Sequence, residues 1–164
     1  MKAVVQRVTD ASVSVDGAVT GKIDAGLLVY LGVARNDSES DADWLSRKIS
    51  GLRIFNDKNG TMNISLMDLV SDNARMPDAV NAAPVIGVLA VSQFTLLADA
   101  RKGKRPSWNG AASPGKAKQL YEYFMESIRR NGLVCESGEF QAYMKVTYTN
   151  DGPVTILLDT NDLK

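Results

Sequence analysis

Gly26-Leu27-Leu28-Val29-Tyr30-Leu31-Gly32-Val33 is uncharged and almost wholly apolar, and the expected architecture is built around it. A run this short, bounded by glycine and rich in branched and aromatic side chains, reads as a strand covered on both faces. Upstream, Ser12-Val13-Ser14-Val15 alternates polar and apolar residues with the period of a half-buried strand. Asp16-Gly17 supplies a hairpin turn, expected between the second and third strands. Downstream, Val85 to Val91 is another strongly apolar run, expected to be a central strand.

Between these runs the period changes to that of a helix. Ser38 to Gly51 has serines to cap its start, Asp41 and Asp43 in its first turn, and Trp44, Leu45, Ile49 and Leu52 on one stripe. Arg53-Ile54-Phe55-Asn56 is expected as a short strand, with a turn after it at Asn59-Gly60. In residues 67–84, Asp72-Asn73-Ala74-Arg75-Met76-Pro77 and Ala82-Ala83-Pro84 suggest a loop excursion with room for a short helix. Ser113-Pro114 opens a second helix by the cap-then-proline rule. Its stripe is Ala117, Leu120, Tyr121, Phe124, Met125 and Ile128, with Arg129-Arg130 in the last turn and Gly132 as the stop. Two closing strands, Met144 to Thr149 and Val154 to Leu158, are expected to meet at a turn over Asn150-Asp151-Gly152-Pro153. No repeat or linker divides the chain. Residues 1–164 are therefore expected to form one compact, sheet-rich α/β domain with barrel-like sheets and two main helices.

Composition excludes several classes of function. The 45% hydrophobic and 23% charged shares are those of an ordinary globular protein. No apolar run approaches the roughly 20 residues a membrane span needs, and Met1 to Arg7 lacks the core of a signal peptide. Cys135 is the only cysteine, so no intrachain disulfide can form and a reducing, cytoplasmic setting is expected. It reads as a small buried hydrophobe. Formal net charge is zero, so any contact with RNA must come from a local patch or from shape. The absence of histidine excludes Ser-His-Asp and Cys-His catalysis, and one cysteine cannot make up a zinc site. There is no phosphate-loop, dinucleotide or calcium-loop pattern, and no metal or cofactor is expected. The carboxylates of Asp99, Glu136, Glu139 and Asp151 are scattered, without the spacing of a paired acid and base.

Three segments remain as carriers of chemistry. Ser92-Gln93-Phe94-Thr95-Leu96 follows the apolar strand, where polar side chains are costly unless they meet solvent, ligand or hydrogen-bond partners. It reads either as a strand running out into a turn or as a site. Thr95 fits a positioning group better than a nucleophile, because no histidine stands ready to activate it. Asn150-Asp151-Gly152-Pro153-Val154-Thr155 is turn chemistry, yet a proline just before a strand offers no amide to the ladder and marks a constrained position. Arg101-Lys102-Gly103-Lys104-Arg105-Pro106-Ser107-Trp108 sets four cations beside an aromatic ring. It reads either as a solvated loop or as a seat for an RNA phosphate and an exposed base.

With Gln6-Arg7-Val8, the Ser92 to Leu96 and Asn150 to Thr155 segments resemble the D-aminoacyl-tRNA deacylase (D-tyrosyl-tRNA(Tyr) deacylase) family in order and spacing. Arg53-Ile54-Phe55, Arg101-Lys102-Gly103 with Arg105-Pro106-Ser107, and Ala112-Ser113-Pro114 extend the resemblance over essentially the whole chain. It implies a cytoplasmic homodimer that hydrolyses D-aminoacyl esters, and mischarged glycyl esters, on the 3′-terminal adenosine of tRNA, as translation proofreading. Ser92, Gln93, Phe94 and Thr95 would be catalytic, with the Phe94 and Thr95 amides facing the oxyanion and the ribose 2′-hydroxyl assisting. Gly152 and Pro153 of the other subunit, joined by a cis bond and oriented by Arg7, would fill the space of an L side chain. Asn150, Asp151, Val154 and Thr155 would support that motif. Phe140 and Met144 would line the pocket, and Ala111 and Ala112 would lie near the adenine. Arg101, Lys102, Lys104, Arg105 and Trp108 would contact tRNA.

Two departures stand out. Gln141 replaces a residue that is commonly small in the family, and Met76 to Ala83 looks like an insertion. Two alternatives stay open: a non-catalytic aminoacyl-tRNA-binding dimer, and a hydrolase with Thr95 as nucleophile.

Overall fold

Two long strands carry the architecture of the computed structural model, which describes residues 1–74 and 84–163. Strand β1 (Lys2–Val15) turns at Asp16-Gly17 into β2 (Ala18–Gly32), and the two pair antiparallel along nearly their whole length. Helix α1 (Glu39–Ser50), the short pair β3 (Phe55–Asn56) and β4 (Met62–Ile64), and α2 (Leu66–Ala74) follow. Then come β5 (Ile86–Ser92), α3 (Pro114–Arg130), β6 (Val134–Ser137) and β7 (Met144–Asp159). The main sheet has the order β6-β5-β2-β1-β7, with β5 parallel to both β2 and β6, and β1 antiparallel to β2 and β7.

The apolar run in β2 is covered on both faces, as its composition requires. Leu27, Val29 and Leu31 pack with Val5 and Val88 under Leu45 and Ile49 of α1 and Leu120, Phe124 and Ile128 of α3. Leu28 points the other way and joins Val8, Val13, Ile23, Leu89 and Val91 in a second cluster. Each fully buried side chain of this size contributes about 1.5–3 kcal/mol of transfer free energy. Helix α1 starts at Ser38, whose amide and hydroxyl donate to Asp41 Oδ2 at 2.9 and 2.8 Å, and ends at Gly51. Ser113 occupies the N-cap position of α3 with an extended backbone, and Pro114 is its first residue.

Several expectations change. Lys2–Val15 is one strand, so Asp16-Gly17 joins the first and second strands rather than the second and third. Strand β5 is interior but not the middle strand, a place taken by β2. Among the described residues a third, shorter helix joins the two main ones where residues 67–84 left room for it: the Ser65 amide and hydroxyl donate to Asp68 Oδ2 at 3.0 and 2.6 Å and cap α2. The expected closing hairpin is one continuous strand, β7, both halves of which pair with β1. The expected insertion at Met76 to Ala83 falls outside the described residues.

Candidate functional site

Strand β5 delivers the first group of residues. Ser92 pairs with Leu31 at its carboxyl end, and the Gln93 amide donates to the Leu31 carbonyl at 2.8 Å. The chain then tightens into a 3₁₀ turn, Phe94–Leu97, closed by Leu96 donating to the Gln93 carbonyl at 3.3 Å. The Phe94 and Thr95 amides precede that first bond, so no carbonyl inside the turn can take them. Gln93 Nε2 donates to Thr95 Oγ1. The turn lies against Gly32, where a Cβ would meet Leu97 Cδ2 and would sit 3.0 Å from the Gln93 carbonyl oxygen.

Beside this turn opens a cleft of about 510 Å³. Ser92, Gln93 and Phe94 form one wall, Ala111 and Ala112 another, and Phe140, Gln141 and Met144 the lip where β7 begins. The alanine wall is fixed to the end of β2, since Ala112 donates to the Val33 carbonyl at 2.9 Å. Tyr121 of α3 closes the floor, with its hydroxyl donating to the Ala90 carbonyl at 2.9 Å and its ring 6.0 Å from that of Phe140. Burial drives that hydroxyl far above the usual tyrosine range, so it stays a neutral donor. Gln141 holds a left-handed backbone, φ +67.

The second group sits where β7 passes Arg7. Between the pairs Gln6–Thr155 and Val8–Asn150, one residue of β1 faces the whole stretch Asp151–Val154. The surplus residues bulge outward, leaving Asp151, Gly152 and Pro153 exposed. Arg7 is buried beneath them. Its Nε donates to the Asp151 carbonyl at 3.2 Å and pairs with Asp151 Oδ2 at 2.9 Å, while Nη1 donates to the Ile54 carbonyl at 2.7 Å. Asn150 Nδ2 spans the bulge, donating to the Arg7 and Val154 carbonyls, each at 3.0 Å. Gln6 Nε2 donates to Thr155 Oγ1 at 3.1 Å. Gly152 has φ +128, and a Cβ there would fall 2.7 Å from Val154 Cγ2 and 3.2 Å from Arg7 Nη2. The Gly152–Pro153 peptide is cis.

A third group flanks the first. Asp99 and Ser107 exchange backbone bonds of 2.7 and 3.0 Å, closing a loop around a second cleft lined by Asp99, Arg101, Lys102, Arg105 and Ser107. The Arg101 guanidinium grips Asp99 at 2.9 and 2.7 Å and holds its carboxyl well below the usual range. Lys104 is exposed outside that cleft. Trp108 meets Phe94 edge to face, with centroids 5.7 Å apart.

The sequence-derived residues thus fall into two neighbouring groups and one separate group. Ser92, Gln93, Phe94, Ala111, Ala112, Phe140 and Met144 share one cleft, and Thr95 adjoins it. Gly152 and Pro153 do not line that cleft. Cys135 is buried and its thiol is pushed up to about 12 by burial, so it offers no thiolate near neutrality. Sequence reading gave Tyr121 to the core and Gly32 to a strand. The pairing of an aromatic helix residue with a later aromatic, and a glycine closing an otherwise apolar strand, were the only signals available.

Residues 4–159 match the family described as D-Tyr-tRNA(Tyr) deacylase. A protein of Koribacter versatilis named D-aminoacyl-tRNA deacylase is 54% identical over 160 residues, covering 98% of this chain and 97% of its own. A Thermosipho melanesiensis protein of the same name is 54% identical over 161 residues, with the same coverage. Among solved structures, the c-Myc DNA unwinding element binding protein aligns with a TM-score of 0.82 at 39% identity, over 97% of this chain and 98% of that one. A probable eukaryotic D-amino acid tRNA deacylase shares the fold at 14% identity, with a TM-score of 0.76 over 96% and 97% of the two chains. Among the described residues no helix is long and apolar enough to cross a membrane.

Proposed function

Because the chain belongs to the D-Tyr-tRNA(Tyr) deacylase family and is a hydrolase of ester bonds acting on D-aminoacyl-tRNA, we propose that the cleft beside Ser92–Thr95 is where the ester is cleaved. The observation that carries this reading is the pair of Phe94 and Thr95 amides with no carbonyl inside their turn, at the mouth of an apolar cleft. The substrate is already an activated acyl group, so the site must hold it, admit water and stabilise the oxyanion. Water adds to the ester carbonyl, and the negative charge on its oxygen meets the Phe94 and Thr95 amides. The tetrahedral adduct then collapses, expelling the terminal ribose oxygen, which takes a proton, and releasing the free D-amino acid. The neighbouring 2′-hydroxyl of the substrate assists. Thr95 acts as a positioning group: its Oγ1 receives the Gln93 amide, a donor that cannot take a proton from it.

Chiral selection falls to Gly152 and Pro153 of a second copy, whose carbonyls occupy the space an L side chain needs. Three features support this arrangement. The segment is exposed, it is anchored from beneath by Arg7, and it is absent from its own chain's cleft. The outer edge of β7 is unpaired among the described residues, and Tyr143 and Leu157 are 85% and 75% exposed, a surface suited to self-association. The protein acts as a cytoplasmic homodimer with two sites, each built from both subunits, and accepts glycyl-tRNA because an achiral substrate has no side chain to exclude. Arg101, Lys102, Lys104, Arg105 and Trp108 contact the tRNA.

The test is hydrolysis of D-tyrosyl-tRNA and L-tyrosyl-tRNA by the parent and by Gly152→Ala, whose new methyl must displace Val154 or Arg7. Rapid loss of the D ester alone, with at least tenfold weaker discrimination in the variant, is expected. A folded dimer that binds D-tyrosyl-tRNA without turnover would instead establish a sequestering protein.

A further inference from the structure

Two features take no part in ester cleavage, which uses only the backbone amide of Phe94. One is the second cleft, where Arg101, Lys102 and Arg105 converge with Asp99 and Ser107. Among the described residues Arg101 is paired with Asp99, whereas Lys102 and Arg105 form no ion pair. The other is the ring pair of Phe94 and Trp108, 58% and 38% exposed. Trp108 directly follows Ser107, so the ring surface adjoins the cationic cleft, and Phe94 also lines the first cleft. A chain leaving the first cleft therefore meets aromatic faces and then positive charge.

That order selects a ligand. Single-stranded nucleic acid presents a base face and a phosphate at every step, and is held by stacking rings beside a basic groove. A duplex hides its base faces and would use only the cations. Resting on the reading that the first cleft seats the terminal adenosine ester, we infer that Trp108, Phe94 and the Arg101, Lys102 and Arg105 cluster form a subsite for the single-stranded nucleotide preceding that adenosine. Its base stacks on Trp108 and its phosphate lies against the unpaired cations. The enzyme thus grips its substrate by the unpaired 3′ end rather than by the helical stem.

The test compares kcat/KM for D-tyrosyl esters of adenosine alone, of the trinucleotide cytidylyl-cytidylyl-adenosine, and of full tRNA. The parent is expected to prefer the trinucleotide over adenosine by about tenfold or more, the worth of one stacked base. Trp108→Ala should bring that ratio towards one, and Trp108→Phe, which keeps a ring, should preserve most of it. Replacing Arg101, Lys102 and Arg105 together with Gln should lower the ratio and flatten its dependence on salt. A parent ratio near one, or a ratio unchanged in Trp108→Ala, overturns the subsite. So does a loss confined to the advantage of tRNA over the trinucleotide, which would assign the patch to the stem. Fluorescence titration with the uncharged trinucleotide separates the two readings. Binding that needs Trp108 without hydrolysis of any ester removes the catalytic reading and keeps the subsite, whereas hydrolysis with equal binding does the reverse.

Discussion

A methyl group on residue 32 would press on the Leu97 side chain and come within 3.0 Å of the Gln93 carbonyl oxygen, the acceptor that closes the 3₁₀ turn. Leu97 can swing aside; the carbonyl cannot without moving the amides that follow it. Gly32→Val is therefore expected to lower kcat/KM about tenfold or more while costing only ~1–3 kcal/mol of stability, measured by ester hydrolysis and denaturant titration side by side. Equal activity in the variant would mean that the turn does not set the oxyanion donors. Ser92 to Thr95 stood out in the sequence as a candidate site because polar residues after an apolar strand need a reason to be there. Gly32 was not, since its constraint comes from a turn some sixty residues later, and nothing local records that contact.

Helices α1 and α3 show what an element contributes apart from the site. Asp43 of α1 accepts from Tyr123 Oη at 3.2 Å and Ser127 Oγ at 3.0 Å, and lies 3.6 Å from Arg130 Nη2, all on α3. Asp43→Ala is expected to cost ~1–2 kcal/mol, read as a lower denaturant midpoint, with hydrolysis unchanged at permissive temperature. A matching loss of kcat would tie the helix pair to catalysis. Both helices were readable from caps and apolar stripes. The last strand was misread for a physical reason: Asn, Asp, Gly and Pro serve a hairpin turn and a bulge alike. Only the partner decides, and here the partner of both halves is β1, the first strand of the chain.

For the molecule as a whole, the groups most displaced by burial lie on the alkaline side. Burial pushes the Cys135 thiol up to about 12, and burial with the neighbouring Tyr148 raises the Tyr30 hydroxyl to about 12. Burial raises Tyr121 as well. All hold their protons more tightly folded than unfolded, where a thiol titrates near ~8.5 and a phenol near ~10. As pH rises the unfolded chain gives up protons first, so stability held below about pH 8.5 is lost progressively towards about pH 12. Melting temperature should fall over that window, and Cys135→Ala should remove the earliest part of the fall. A flat profile to pH 11 would show these groups to be hydrated. The sheet-rich class was legible in the alternating and apolar runs of the sequence, whereas the proposed sharing of a site between two copies would leave no mark in composition or periodicity. In the single chain Gly152 and Pro153 lie outside the cleft beside Ser92.

The bulge at Asp151–Val154 has a further consequence. An ordinary exposed segment would surrender about 1–2 kcal/mol of backbone entropy per residue when a partner fixes it. Here β1 holds the ladder on both sides, Arg7 ties Asp151 from beneath and Asn150 spans the ends. Folding has already frozen those four residues, so whatever meets them does so with nearly no further loss of freedom.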